Sequence, residues 1–212
     1  MAEMSDRRAL IVAAAAPGQL DDLERPDLVI AADSGLHAVQ ARGWVPDLVI
    51  GDFDSARRDA IDTALAAGST VEQAAIDKDE TDLELALAAA IERGAADVHV
   101  IVRSDGRLDH QLANLMALAA PSLADAAVSA TVGEHDVWVV RGERVLELEP
   151  GSHLALIPVG GPARITSSGV AFPLDAEELS PFAGRGIANE VVEPIVRLIV
   201  DDGVVLALSS PS

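Results

Sequence analysis

Short apolar runs alternate with longer stretches of helical periodicity through the first 120 or so residues of the chain. Residues 10–14, 28–32 and 48–50 are runs of Leu, Ile, Val and Ala, and 98–102 is apolar but for His99, the pattern of strands buried on both faces. A weaker strand is expected near Val71. Between these runs, residues 35–41, 56–67, 81–93 and 108–119 read as helices. In the third, Leu83, Leu87 and Ile91 recur every fourth residue and make one apolar stripe, and Gly68 and Gly94 stand where helices should stop. Strands that alternate with helices of this length predict a mostly parallel sheet covered on both faces.

Beyond Leu123 the segments shorten and alternate. Residues 136–140, 145–148, 154–158 and 196–200 read as strands of an antiparallel sandwich or open barrel. Arg141-Gly142-Glu143 and Asp201-Asp202-Gly203 read as hairpin turns. The expected organisation is therefore an α/β domain over residues 1–123 followed by an antiparallel β-sandwich over 124–212, with a tight junction near Pro121.

Charge narrows the choice of partners. The 212 residues carry 35 acids against 15 Lys plus Arg, a formal net charge of -20. Both the part before Pro121 and the part after it are acidic, so neither offers the basic face that a nucleic-acid backbone or an anionic membrane needs. The chain has no cysteine, which removes disulfides, thiolate metal sites and cysteine nucleophiles and suits a reducing compartment. Arg7 and Arg8 precede an apolar run over residues 9–16, but that run is too short to span a bilayer and reads as a first buried strand. A cytoplasmic protein is expected.

Four polar clusters follow the predicted strands: Asp33-Ser34-Gly35, Gly51-Asp52-Phe53-Asp54-Ser55, Asp77-Lys78-Asp79-Glu80-Thr81-Asp82, and Ser104-Asp105-Gly106-Arg107-Leu108-Asp109-His110. In a parallel sheet all four fall on the carboxyl edge, where such folds bind ligands. Taken singly, an Asp after a strand is an Asx turn or a helix cap, and Asp79 with Asp82 has the look of a capped helix start with both carboxylates on one face. Taken together, Asp33, Asp52, Asp54 and Asp82 would repel one another strongly unless protonated or bridged by a hard cation. Oxygen-only ligands favour Mg²⁺, the usual companion of a nucleotide polyphosphate. Asp52 and Asp54, two apart in an extended segment, would point the same way. Lys78 is the sole lysine in a chain otherwise furnished with arginine, which suits a point-charge contact to phosphate. Arg107, in a Gly-containing loop at a helix start, is a second phosphate candidate. The chain lacks a G-x-x-x-x-G-K-[ST] loop, a G-x-G-x-x-G turn, H-E-x-x-H and G-x-S-x-G.

The clusters, in this order and with Pro46-Asp47 ahead of Gly51, resemble the thiamine pyrophosphokinase family. The resemblance implies an α/β catalytic domain followed by a β-sandwich, a homodimer with the acceptor pocket shared between subunits, and transfer of a diphosphate from ATP to the hydroxyethyl group of thiamine with release of AMP. It implies Asp33, Asp52, Asp54 and Asp82 as Mg²⁺-holding and catalytic carboxylates, with Asp54 or Asp82 taking the hydroxyl proton. Lys78, Thr81 and Ser55 would face the nucleotide, Arg107 would touch phosphate, and Asp109 and His110 would shape the site near the acceptor. Phe172 stands where the family usually has a Trp that stacks on the thiamine pyrimidine. Asn189 would also bind the acceptor; it follows Ala188, where the family usually has Ser before Asn. Three other readings remain open: the same transfer to another hydroxymethyl heterocycle such as a pterin, a non-catalytic thiamine or nucleotide sensor, and a metal-dependent phosphohydrolase.

Overall fold

The computed structural model describes residues 6–16, 18–53, 57–75 and 79–211. The chain divides into two compact units, Met1–Gly133 and Glu134–Ser212.

The first unit is built on six strands: β1 (Arg8–Val12), β2 (Leu28–Ala32), β3 (Leu48–Gly51), β4 (Thr70–Gln73), β5 (Asp97–Val102) and β6 (Ala127–Val132). They lie in the order β6-β5-β1-β2-β3-β4, and every adjacent pair is parallel. The helices α1 (Gly35–Ala41), α2 (Arg58–Ala66), α3 (Asp82–Glu92) and α4 (Leu108–Leu118) supply the crossovers. One face of the sheet presents Leu10, Val12, Val29, Ala31 and Val49 to α1 and α2, packed on Leu36, Val39, Ala60 and Ala64. Side chains alternate along a strand, so Ile11, Ile30 and Leu48 bury the other face, and α3 packs on β1, β2 and β3 there. This two-sided burial is why β1, β2 and β3 read as unbroken apolar runs. Arg7 and Arg8 lead into β1, whose Ala9–Val12 portion is buried.

The sequence places the domain break at 123/124. In the structure β6 pairs in parallel with β5 along its whole length, from Asp97 beside Ala127 to Val102 beside Val132, so the first unit runs ten residues further, to Gly133. The run from Ala127 to Val132 is short and follows a helical turn, and its apolar character alone does not distinguish it from the alternating strands that follow.

The second unit is a sandwich. One layer has the order β12-β9-β14-β7, from Asn189–Glu190, His153–Pro158, Val205–Ser210 and His135–Val140. The other has the order β11-β10-β13-β8, from Glu177–Leu179, Ala163–Ser168, Ile195–Asp202 and Glu143–Glu147. All of these pairings are antiparallel. Val140, Leu154, Leu156 and Val205 from one layer meet Leu146, Ile165, Val196 and Leu198 from the other in a single core.

Both predicted hairpins are corrected. β7 pairs with β14 and β8 with β13, so Arg141-Gly142 carries the chain from one layer to the other. Asp202-Gly203 does the same between β13 and β14. The turn chemistry was legible, but a tight turn between alternating strands fits a corner between layers as well as a hairpin. Gly203 has φ 86, and a Cβ there would lie 2.7 Å from the Pro162 carbonyl oxygen, so this corner tolerates only glycine without a shift.

Candidate active site

Asp33, Asp52 and Asp82 converge. Each offers a carboxylate oxygen, and the three oxygens lie within 4.8 Å of one another, at half-buried positions. The first two stand where β2 and β3 end, and the third opens α3. Asp33 takes φ 45, a left-handed conformation that Asp accepts more readily than most residues. Its N–H donates to the Ile50 carbonyl at 2.9 Å, which ties the exit of β2 to the exit of β3. Gly51 has φ 151 and a Cβ on it would sit 3.3 Å from the Asp33 nitrogen, so the two strand ends approach this closely because one of them is glycine. Gly35 does the same for α1: a Cβ there would lie 1.8 Å from the Val12 carbonyl oxygen.

Phe53 takes φ 61, a strained conformation for a bulky side chain, and packs against the core beneath α1 and α2. The segment after Asp52 is therefore not extended, and the expected parallel aim of Asp52 and Asp54 does not follow from the backbone. Asp54, Ser55 and Lys78 lie outside the described residues.

The start of α3 also differs from expectation. Thr81, not Asp79, is the N-cap. Its hydroxyl accepts the Glu84 N–H at 3.2 Å, while Glu84 Oε2 accepts the Thr81 N–H at 2.8 Å, a reciprocal capping box. Asp79 precedes the helix, and Asp82 alone of the two sits in its first turn, at the positive end of the helix dipole. Ser34 is the N-cap of α1 but makes no capping bond with its side chain. Pro46 and Asp47 precede β3 and thus lie at the opposite, amino edge. There Asp47 accepts the Val29 N–H at 2.8 Å and pairs with Arg25 at 2.9 Å, a joint between β2 and β3.

Strand order reverses between β1 and β5, and in open parallel sheets ligands bind at such a crevice. A cavity of about 480 Å³ lies there, lined by Ala13, Ala14, Arg103, Gly106, Arg107 and His110 among others. A second, of about 540 Å³, shares Ala14 and Arg103 and reaches Ser34 and His37. Arg107 and Asp109 form a two-bond ion pair, Nε to Oδ1 at 3.1 Å and Nη2 to Oδ2 at 2.5 Å. The Arg107 guanidinium holds the Asp109 carboxyl below the usual carboxylate range, and Asp109 raises Arg107 in turn. Both side chains are exposed and neither belongs to the carboxylate cluster. His110 is exposed in the first turn of α4. Arg103, which lines both cavities and forks onto Asp105, escaped the sequence reading. It follows β5 directly, the same signal that marks Asp33 after β2.

Phe172 and Asn189 belong to the second unit. Phe172 is 63% exposed on the loop after β10, and Asn189 is 7% exposed at the start of β12. The two are bonded to each other: Asn189 Oδ1 accepts the Phe172 N–H at 3.0 Å and Nδ2 donates to the Phe172 carbonyl at 2.8 Å.

Three carboxylate oxygens at this spacing fit a hard divalent cation. Each pair of unit charges 4.8 Å apart repels by about 3.5 kcal/mol at an effective dielectric near 20, and the donor set holds no nitrogen or sulfur that would favour zinc or iron.

Comparison with known proteins agrees with this architecture. The chain matches the thiamin pyrophosphokinase catalytic domain over residues 21–129 and the thiamin pyrophosphokinase vitamin B1 binding domain over residues 142–205. It is similar to thiamine pyrophosphokinase 1 of Arabidopsis thaliana, 28% identical over 180 residues that cover 78% of this chain and 66% of that protein. The match thus spans just under two thirds of that relative's own length. The thiamine pyrophosphokinase of Bacillus subtilis has a similar fold, with a TM-score of 0.84 and 23% identity over 97% of this chain and 100% of that one. So does a thiamin pyrophosphokinase family protein of Enterococcus faecalis, with a TM-score of 0.82 and 23% identity over 97% and 99%. The catalytic-domain match alone takes in more than half of the chain, and the second domain follows it in the expected order. The chain belongs to the thiamin pyrophosphokinase family.

Proposed function

We propose that this protein is a thiamine pyrophosphokinase that transfers a diphosphate from ATP to the hydroxyl of thiamine, giving thiamine diphosphate and AMP. The observation that carries the reading is the convergence of Asp33, Asp52 and Asp82 at the carboxyl edge of a parallel sheet, in a chain whose family is named for this activity. Asp33, Asp52 and Asp82, with Asp54, would hold Mg²⁺, which supplies positive charge against the phosphate oxygens of ATP.

The chain's own groups do the rest. The acceptor hydroxyl oxygen bonds to the β-phosphorus in line with the bridging oxygen to the α-phosphate. That bridging bond breaks, AMP leaves, and the hydroxyl proton passes to a carboxylate, Asp82 or Asp54. Arg107, and Lys78 as the sole lysine, offset charge on the phosphates, and Thr81 offers its hydroxyl on the nucleotide side. Arg107 is engaged with Asp109, so phosphate would draw it from that exposed pair. His110 borders the cavity at the strand reversal and, with Asp109 beside it, would shape the acceptor end. Phe172 would stack on the pyrimidine. We place the enzyme in the cytoplasm, which suits a chain without cysteine, and as a homodimer, a reading that rests on the resemblance. No described helix is long and apolar enough to cross a membrane.

Incubation with ATP, thiamine and MgCl₂, followed by chromatography, tests the reading. Equal amounts of AMP and thiamine diphosphate are expected. Product only with a hydroxymethylpterin would move the acceptor; phosphate release without AMP would make the protein a hydrolase; binding without turnover would make it a sensor.

A further inference from the structure

The family resemblance puts Asn189 among the groups that touch the acceptor, yet its amide is occupied within the fold. Oδ1 accepts two N–H groups, from Phe172 at 3.0 Å and from Glu190 at 3.0 Å. Nδ2 donates to the Phe172 carbonyl at 2.8 Å. Both lone pairs and one of the two N–H donors are thus committed, in a side chain 7% exposed. The rest of the loop is fastened as well. The Ala171 N–H donates to the Glu190 carbonyl at 2.9 Å, and Val170 bridges Val191. Beyond Phe172, the Leu174 N–H donates to Ser167 Oγ at 3.0 Å, and Leu174 is buried in the sandwich core. Ala188, just before the clamp, is turned at φ 58 to aim Asn189 inward.

The outcome is a large apolar ring held in water by a backbone that is fixed on both sides. A loose loop would fold that ring against the sandwich, because burying a Phe side chain is favourable. A ring held outward loses little conformational freedom when something flat covers it.

We propose that Asn189 is a positioning residue for the acceptor, acting wholly through Phe172: the amide clamps both backbone groups of Phe172 so that its ring stands ready to stack on a heteroaromatic ring, and Asn189 itself makes no contact with substrate. The proposal rests on the stacking role given to Phe172 above.

A double-mutant cycle on the full-length protein separates the two. Phe172→Ala, Asn189→Ala and the double variant are compared by thiamine KM, ATP KM and kcat, with melting temperature checked for each. Asn189→Asp, which keeps the bonds that Oδ1 accepts but replaces the donor with a charged oxygen facing the Phe172 carbonyl, takes the place of Asn189→Ala should that variant fail to fold. Phe172→Ala is expected to raise the thiamine KM at least about fivefold, as loss of one aromatic–base stack does elsewhere. Asn189→Ala should raise it in the same direction with ATP KM and kcat within about twofold, and the double variant should match Phe172→Ala alone. If the two single effects instead multiply, or if Asn189→Ala leaves the thiamine KM unchanged while Phe172→Ala raises it, the proposal is overturned and the stacking reading survives. An unchanged KM in Phe172→Ala removes the stacking reading, and the positioning role with it.

Discussion

In the first unit, groups that repel one another are held together; in the second, a group that water disfavours is held apart. Asp33, Asp52 and Asp82 come within 4.8 Å because the backbone leaves them little choice: two strand ends cross-tied by the Asp33 N–H, a glycine at Gly51 that admits the close approach, a strained Phe53 anchored in the core, and a capped helix that presents Asp82. Phe172 stays exposed because a buried amide clamps its peptide groups. Strain and charge stored by backbone geometry suit a site that waits for a cation and a polyphosphate. A rigid apolar platform suits a site that waits for a flat ring. Under the proposed function, the two regions would serve donor and acceptor, are pre-organised by different forces and should fail differently.

The largest predicted effect lies at the donor end. Asp52→Asn should lower kcat/KM by at least about 100-fold, roughly 2.7 kcal/mol of transition-state stabilisation, mostly through kcat. Steady-state kinetics with thiamine varied at saturating ATP measures it; near-normal activity would remove Asp52 from the site. Gly35→Ala should destabilise the fold by about 1–3 kcal/mol, since its Cβ would fall 1.8 Å from the Val12 carbonyl oxygen and must push α1 off β1. Urea denaturation reports the loss, and activity should fall with it because Asp33 sits directly before α1. Phe172→Ala, by contrast, should leave the denaturation midpoint in place, its ring being exposed, and raise only the thiamine KM. The smallest effect belongs to the Arg107–Asp109 pair. The Asp109 carboxyl is held low by its bond to Arg107, so whatever the pair adds to stability is fully present above the ordinary carboxylate range and is lost as pH falls through the lowered value. Melting temperature compared between wild type and Asp109→Asn should therefore show no difference that varies between about pH 5 and pH 8.

Much of this was written plainly in the chain. The runs at β1, β2 and β3 are apolar on both faces because helices cover both, and a burial pattern that strong survives any tertiary context. The carboxylates were legible for a topological reason: polar residues placed directly after buried parallel strands have nowhere to go but the carboxyl edge. What the sequence concealed depends on long-range pairing. β6 could not be assigned to the first unit because its partner is β5, some thirty residues earlier, and nothing local in Ala127–Val132 declares a parallel neighbour. The corners at Gly142 and Gly203 look like hairpins because tight-turn chemistry is blind to which sheet the next strand joins. Thr81 rather than Asp79 is the cap because Glu84 completes a box with it, a spacing present in the sequence beside the more conspicuous acidic pair. Asn189 looked like a ligand-binding side chain because its partners, the peptide groups of Phe172, lie 17 residues away.

In the proposed function, Asp33, Asp52 and Asp82 together hold a divalent cation beside the triphosphate of ATP. Electron paramagnetic resonance of Mn²⁺, titrated with the protein in the presence and absence of ATP, reads this directly and independently of turnover. Mn²⁺ is expected to bind the protein with an affinity that ATP strengthens and that falls at least about tenfold in both Asp33→Asn and Asp52→Asn. Equal Mn²⁺ affinity in the wild type and both variants would contradict it.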